Sequence, residues 1–330
     1  MSDIQLIDSY NRHLNYLRVS VTDRCNLNCC YCEPIKRILK LPHDDILSYE
    51  EILRLVGIGV GLGIQKVRVT GGEPLVRKGI YDFLGSLMLI KGLKDVSLTT
   101  NAVLLDENLK NIKNAGIKRI NISLDTLNRE KFRKITGHDR FERVWNAILR
   151  AQEEGFNPIK LNVVVLPGIN DDELIDLAGL SFSFPFHIRF IEYMPIGEGP
   201  FINTSQMSGE TIMDRLKSIG PLVNIKNEII DGPAKRFRFV GAQGEIGLIS
   251  AMSHHFCGQC NRLRLTADGR LRTCLLSDRF EDLKGPLRKG CADSELARII
   301  VNAVRHKPYA HRLSTDSDAK VFDCMSSIGG

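Results

Sequence analysis

The chain has 330 residues, 43% of them hydrophobic and 25% charged, with 45 Lys and Arg against 39 Asp and Glu for a net charge of +6. That composition supplies a core for one large domain or two smaller ones; no apolar run reaches membrane-spanning length, and Met1-Ser2-Asp3-Ile4-Gln5 has neither the basic head nor the apolar stretch of a secretory signal. The expectation is a cytoplasmic protein bound to neither membrane nor nucleic acid, in which nine cysteines serve metal or redox chemistry, not disulfides. The mild positive charge suits a small anionic substrate.

Residues 1–16 read as a polar lead-in. Then apolar β-branched runs alternate with amphipathic stretches. Strands are expected at 17–21, 66–70, 96–101, 119–125, 160–165 and 187–194, and helices at 49–62, 80–90, 105–115, 141–154 and 171–180. Strands alternating with helices imply parallel βαβ units. Six such units are two strands short of a closed barrel. The expected class is α/β: an incomplete (βα)6 TIM-like barrel over residues 1–200. An extension over 201–330 would cover it and carry a short antiparallel sheet.

Within these strands polar and apolar residues alternate with period two. Arg18 and Ser20 share a face, as do Lys66, Arg68 and Thr70; Ser97, Thr99 and Asn101; Asn121, Ser123 and Asp125; Lys160 and Asn162; His187 and Arg189. If helices cover the apolar faces, the polar faces line the lumen, where closed barrels carry bulky branched residues. A polar, cationic lumen calls for a hydrophilic anion. The competing arrangement is a sheet with its polar side open to water.

Barrel chemistry resides in the loops after the strands. The first loop, Cys25-Asn26-Leu27-Asn28-Cys29-Cys30-Tyr31-Cys32, holds four cysteines in eight residues. Cys25, Cys29 and Cys32 are separated by three and then two residues, a thiolate loop suited to a soft metal or an iron–sulfur cluster. A four-iron cube normally takes four thiolates, so three would leave one iron open. A disulfide pair or a zinc loop is the alternative. Gly71-Gly72-Glu73-Pro74 follows the second strand, where paired glycines let backbone approach a ligand closely. Pro195-Ile196-Gly197-Glu198-Gly199-Pro200 follows the sixth.

Beyond residue 200 the repeat stops. A capped helix is expected at 204–220, a mixed connection at 221–233, an antiparallel pair at 236–240 and 245–250, and helices at 281–288 and 294–305. Cys257 and Cys260 precede a hairpin turning at Asp268-Gly269, and Cys274 follows it. This second set fits a zinc ribbon, with His254, His255 or Cys291 as fourth ligand, or a second cluster. Arg262 and Arg264 would present two guanidiniums beside the metal, suited to phosphate or carboxylate. Cys30, Cys291 and Cys324 fall outside both sets and are expected not to be ligands.

Together these motifs resemble the GTP 3′,8-cyclase family of radical S-adenosylmethionine (SAM) enzymes, from about Arg12 to Gly330. The carriers are residues 16–26, Arg68-Val69-Thr70-Gly71-Gly72-Glu73-Pro74-Leu75, Ser123-Leu124-Asp125, Glu192-Tyr193-Met194-Pro195, residues 256–264 and the Gly-Gly end. The resemblance implies SAM and two 4Fe–4S clusters, one on Cys25, Cys29 and Cys32 and one on Cys257, Cys260 and Cys274. It puts Tyr31, Gly72, Ser123 and Met194 on SAM. GTP falls to Arg18, Arg68, Thr99, Lys160, Arg262 and Arg264, with Lys66 and Arg189 as further triphosphate partners. Arg18, Arg262, Arg264 and the tail Gly329-Gly330 would serve catalysis, in which a 5′-deoxyadenosyl radical takes hydrogen from C3′ of GTP and C3′ bonds to C8. A flavodoxin or ferredoxin reductant, a downstream cyclic pyranopterin monophosphate synthase and a homodimer are further implications. Asn11 and Ala102 stand where the family has glycine. Cys30 replaces a basic or bulky residue, and Cys324 an arginine whose loss would weaken tail docking. Two rival classes are a peptide-modifying radical SAM enzyme and a zinc-dependent nucleic-acid-binding module.

Overall fold

In the computed structural model, which describes residues 5–32, 40–197, 206–227, 232–311, 313 and 321–329, the first strands and helices alternate as their periodicities dictate. The order is β1 (Tyr16–Ser20), α1 (Tyr49–Gly61), β2 (Lys66–Thr70), α2 (Ile80–Met88), β3 (Asp95–Thr100), α3 (Leu109–Asn114), β4 (Ile120–Ser123), α4 (Arg129–Thr136), α5 (Phe141–Glu153), β5 (Ile159–Val165), α6 (Leu174–Ser183) and β6 (His187–Glu192). Helix α1 shows the local logic. Ser48 and Glu51 form a reciprocal capping box, and Ile52, Leu55, Val56 and Gly59 make its buried stripe. Helix α4 was not expected. It buries only Phe132, Ile135 and Thr136, too short a stripe to register as periodic, yet Asn128 caps it and Gly137, at φ 74°, ends it.

The remainder runs α7 (Gly209–Lys217), β7 (Leu222–Ile225), β8 (Lys235–Phe239), β9 (Glu245–Ile249), β10 (Arg262–Leu265), β11 (Arg270–Arg272), β12 (Glu281–Asp282), α8 (Lys284–Arg288), α9 (Asp293–Arg305) and α10 (Met325–Ile328). The connection expected at 221–233 thus contains β7, and the helix expected at 281–288 splits into β12 and α8. The start of the helix expected at 204–220 lies outside the described residues.

All twelve strands form one sheet, ordered β12-β11-β10-β1-β2-β3-β4-β5-β6-β9-β8-β7. Strands β1 to β6 are parallel in chain order. The two strands the repeat lacked come from beyond residue 200: β10 pairs parallel with β1, and β9 pairs parallel with β6. The antiparallel strands are therefore not a separate small sheet; they continue the large one at both edges. One face packs the main core against the helices, with Val19, Val67, Val69, Leu98, Ile122 and Ile188 buried in it. The opposite face is polar yet also buried, at Lys66, Arg68, Ser97, Asn121 and Arg189, so it is not the solvated side of an open sheet. A second apolar cluster of Ile196, Leu276, Leu313, Val321 and Ile328 gathers loop and tail residues above the strand ends. Among the described residues, no helix is long and apolar enough to cross a membrane.

Candidate functional site

The registers of β10, β1, β2 and β3 set Arg264, Arg18, Arg68 and Ser97 side by side on the polar face. Neighbouring strands lie about 4.8 Å apart, so three guanidiniums stand abreast, an arrangement that repels itself unless an anion joins it. Burial, with Arg68 and Arg262 nearby, brings Arg18 down to about 10, and burial holds Arg264 well below its ordinary value. Tyr16 Oη, Arg68 Nε, Ser97 Oγ, Thr99 Oγ1 and Asn121 Oδ1 are buried there without a hydrogen-bond partner. Each such atom costs about 1–3 kcal/mol unless something satisfies it. A polar ligand does.

Arg189 joins the same wall because Gly247 faces it; a Cβ at 247 would come within 2.9 Å of Arg189 Cγ. Two expected triphosphate contacts are placed differently. Lys66 is tied to Asp95 at 3.1 Å, and Asp95 also pairs with Arg119, so Lys66 is held at Asp95 and does not line the cavity. Lys160 sits two residues toward the strand start from the cavity-lining Asn162, between Asn121 and His187 in register. Burial, then Arg189, Arg68, Arg119 and Lys66, lower its ammonium to about 6.

At the strand ends lie the cysteine loops, and both open into one cavity with Arg18, Arg68, Thr99, Arg262 and Arg264 in its wall. The first loop is propped by α4, whose Thr136 and Ile135 carbonyls accept from the Asn28 and Cys30 amides at 2.9 and 2.8 Å. Cys25 Sγ accepts from the Leu27 amide at 3.4 Å and Asn101 Nδ2 at 3.6 Å. Burial, then the neighbouring thiols and Asp125, push Cys29 well up. Tyr31 donates to Asp125 Oδ2 at 2.7 Å while the Val164 amide donates to Oδ1; burial nevertheless raises Asp125 to about 6. The two glycines have a reason besides the expected one. A Cβ on Gly72 would lie 2.3 Å from the Arg24 carbonyl oxygen, and one on Gly71 2.7 Å from that of Thr22. They let this loop lie against the cysteine loop's own backbone, and Gly72 also lines the cavity. Glu73 then accepts from the Leu75 and Asn101 amides and from Thr100 Oγ1, tying two loops together; burial lifts it to about 7.

In the second set, burial pushes the Cys260 thiol up, but Arg262 and Lys307 outweigh it and bring it down to about 6. Lys307 is buried and donates to the carbonyls of Arg262 and Thr273, so one ammonium ties both arms of the set. Arg12, held by Asp8 at 2.5 Å, donates to the Cys257 carbonyl at 2.6 Å. All nine cysteines are free. Among the described residues only His255, Cys257 and His311 bring three possible ligand atoms within 4.8 Å of one another. His254 pairs instead with Glu210 at 2.9 Å. Cys30 packs against the cluster of Ile135, Leu166 and Tyr193, and Cys324 is buried with its sulfur 3.2 Å from Ser326 Oγ.

Residues 19–180 match the Radical SAM superfamily, and residues 186–313 match the family Molybdenum Cofactor Synthesis C. The GTP 3′,8-cyclase of Moorella thermoacetica is 46% identical over 323 residues, 98% of this chain and 99% of that one. That of Desulforamulus reducens is 47% identical over 328 residues, 98% of this chain and 100% of that one. The chain belongs to the GTP 3′,8-cyclase family. Its fold is also that of Streptococcus suis SuiB, crystallised with S-adenosylmethionine: TM-score 0.61 at 14% identity, over 93% of this chain and 78% of SuiB.

Of the residues expected from the cyclase family, Tyr31, Gly72, Ser123 and Met194 line the cavity along with the two cysteine triads. Gly329 reaches the arginine row: its carbonyl accepts from Arg264 Nη1 at 2.7 Å. Its φ is 81°, and a Cβ there would lie only 2.8 Å from Ser20 Cβ, so position 329 admits glycine alone. Gly330 lies outside the described residues. The tail is docked with Cys324 in place, and the buried Arg272 pairs with the neighbouring Asp323. Glu73, Lys307 and His311 were not expected at the site, and Asp125 was expected on the lumen face without a role of its own. Asp125 and Glu73 could have been found from the motifs that contain them; Lys307 and His311 carry no local signal.

Proposed function

We propose that this chain converts GTP to (8S)-3′,8-cyclo-7,8-dihydroguanosine 5′-triphosphate by radical SAM chemistry, the first step of molybdenum cofactor biosynthesis. The observation that carries it is two three-cysteine sets opening into one lumen whose floor holds abreast arginines and orphaned polar atoms. Cys25, Cys29 and Cys32 would hold a 4Fe–4S cluster with SAM, contacted by Tyr31, Gly72, Ser123 and Met194. Cys257, Cys260 and Cys274 would hold a second, beside the guanine. When bound, the first cluster and SAM supply the 5′-deoxyadenosyl radical.

The chain's own part is to bind, orient and shield. Arg18, Arg68, Arg262 and Arg264, with Lys160 below and Thr99 at the wall, neutralise the triphosphate. Each guanidinium offers a planar fork to phosphate oxygens. Arg264 also fixes the Gly329 carbonyl, which brings Gly329 to the substrate's phosphate-binding row; Gly329 and Gly330 would assist catalysis there. The six parallel strands of residues 1–200 read as an incomplete (βα)6 TIM-like barrel, which residues 201–330 flank with β9 and β10 and close over, so that water is kept from the reacting sugar. We further propose a cytoplasmic homodimer reduced by a flavodoxin or ferredoxin, its product passing to cyclic pyranopterin monophosphate synthase.

The test is iron, sulfide and EPR on anaerobically reconstituted protein, with and without GTP. About eight irons per chain, as two four-iron clusters require, and a GTP-dependent change in one signal are expected. About four irons and no response to GTP would refute the two-cluster reading.

A further inference from the structure

Cys257 has a second set of neighbours. His255 Nδ1 and His311 Nε2 each stand 3.0 Å from the same carbonyl oxygen, that of Ala251. A carbonyl oxygen only accepts, so each ring carries its proton on the nitrogen facing Ala251. The lone pair of each neutral ring is then on the other nitrogen, Nε2 of His255 and Nδ1 of His311. His311 Nδ1 is buried and has no hydrogen-bond partner. The rings meet edge to face with centroids 4.2 Å apart, so both are fixed. An imidazole whose far N–H is tied to a backbone carbonyl is oriented as metal-binding histidines are. Cys257 and the two imidazoles can each bring one ligand atom within 4.8 Å of the others, a span for one ion. Two imidazoles, one thiolate and a fourth position open to the cavity suit a borderline divalent cation such as zinc or ferrous iron.

We propose that His255, Cys257 and His311 form a site for a single borderline divalent cation, filled in the chain that lacks its second cluster and incompatible with that cluster, because both need the Cys257 thiolate. Binding releases the Cys257 thiol proton to solvent. Only the incompatibility rests on reading Cys257, Cys260 and Cys274 as cluster ligands; the cation site does not.

The experiment titrates the cluster-free full-length chain with cobalt(II), whose thiolate charge-transfer band reports its ligands. One cobalt per chain with the band of a single thiolate is expected. His255→Ala, His311→Ala and His311→Gln should each weaken binding by about tenfold or more, in chains that melt as the parent does, while Cys260→Ser binds unchanged. Loss in Cys260→Ser, or unchanged binding in all the histidine variants, overturns the site and hands the metal to the cysteine triad. In a second arm the chain is loaded with one equivalent of zinc and then reconstituted with iron and sulfide. The parent should stop at about four irons and His311→Ala should reach about eight. Eight in the zinc-loaded parent overturns the incompatibility. Four in the zinc-free parent would refute the two-cluster reading and leave the cobalt result to stand alone.

Discussion

Lys160 illustrates how strongly the lumen alters a single side chain. Burial and four neighbouring cations hold its ammonium near 6, against about 10.4 for an exposed lysine. Between those values the folded chain binds fewer protons than the unfolded one, so stability rises with pH across that window, and the full cost of burying the charge is present below it. A bound triphosphate reverses the balance by favouring the charged form. GTP binding at pH ~7.5 should therefore take up close to one proton, and affinity should weaken as pH climbs above 6. Calorimetry in buffers of different ionisation enthalpy measures this. Lys160→Met should abolish the uptake, and no uptake in the parent would mean that Lys160 does not meet the anion. At a second residue the backbone is the issue. Ala102, fully buried at φ 62°, and Asn11, at φ 60°, are the non-glycine residues with left-handed backbone among those described. Asparagine tolerates this region and alanine does not. Ala102→Gly should raise stability by ~1 kcal/mol in thermal melts, while Asn11→Gly leaves it nearly unchanged.

Among the elements, α4 and α10 do more than their length suggests. Helix α4 turns its last carbonyls to the cysteine loop, so a helix without an obvious apolar stripe holds the first thiolates in place. Helix α10 carries Gly329 to Arg264, and it is anchored by Ile328 and Val321 in the second apolar cluster and by Asp323 on the buried Arg272. The other arm of Arg272 lies 3.2 Å from Asp278. Removing the charge at 323 leaves a buried guanidinium short of a partner. Asp323→Asn should speed hydrogen exchange over residues 321–329 and lower cyclisation while reductive SAM cleavage continues. Equal loss of both activities would show that the tail's anchor serves general folding instead.

Over the whole molecule, residues beyond 200 do not merely cap a finished core. They supply β10 and β9, the strands that flank β1 and β6, and with β10 they bring Arg262 and Arg264 into the same wall as Arg18 and Arg68. The result is a concentrated positive lumen in a chain whose net charge is only +6. Such a lumen is stabilised by any anion that fills it; a ligand at a hundred times its dissociation constant adds ~2.7 kcal/mol. Inorganic tripolyphosphate should raise the melting temperature of the full chain, less in Arg68→Met and less at high salt, where exposed parts of the field are screened. A melt that tripolyphosphate leaves unmoved would rule out the lumen as the anion site.

What the amino-acid order determined alone was local. Period-two alternation marked the six strands and the polar faces, and cysteine spacing marked both triads, because pleat geometry and loop length act over a few residues. Tertiary structure decided what depends on distant pairing. It joined β10 to β1 and β9 to β6, gave Lys66 to Asp95, set Lys307 between Arg262 and Thr273, and turned His255 and His311 onto one carbonyl. It also gave Gly71 and Gly72 a second reason, the packing of one loop on another. Each of these contacts is selected by burial and hydrogen bonding between segments far apart in the chain, which no short-range pattern encodes.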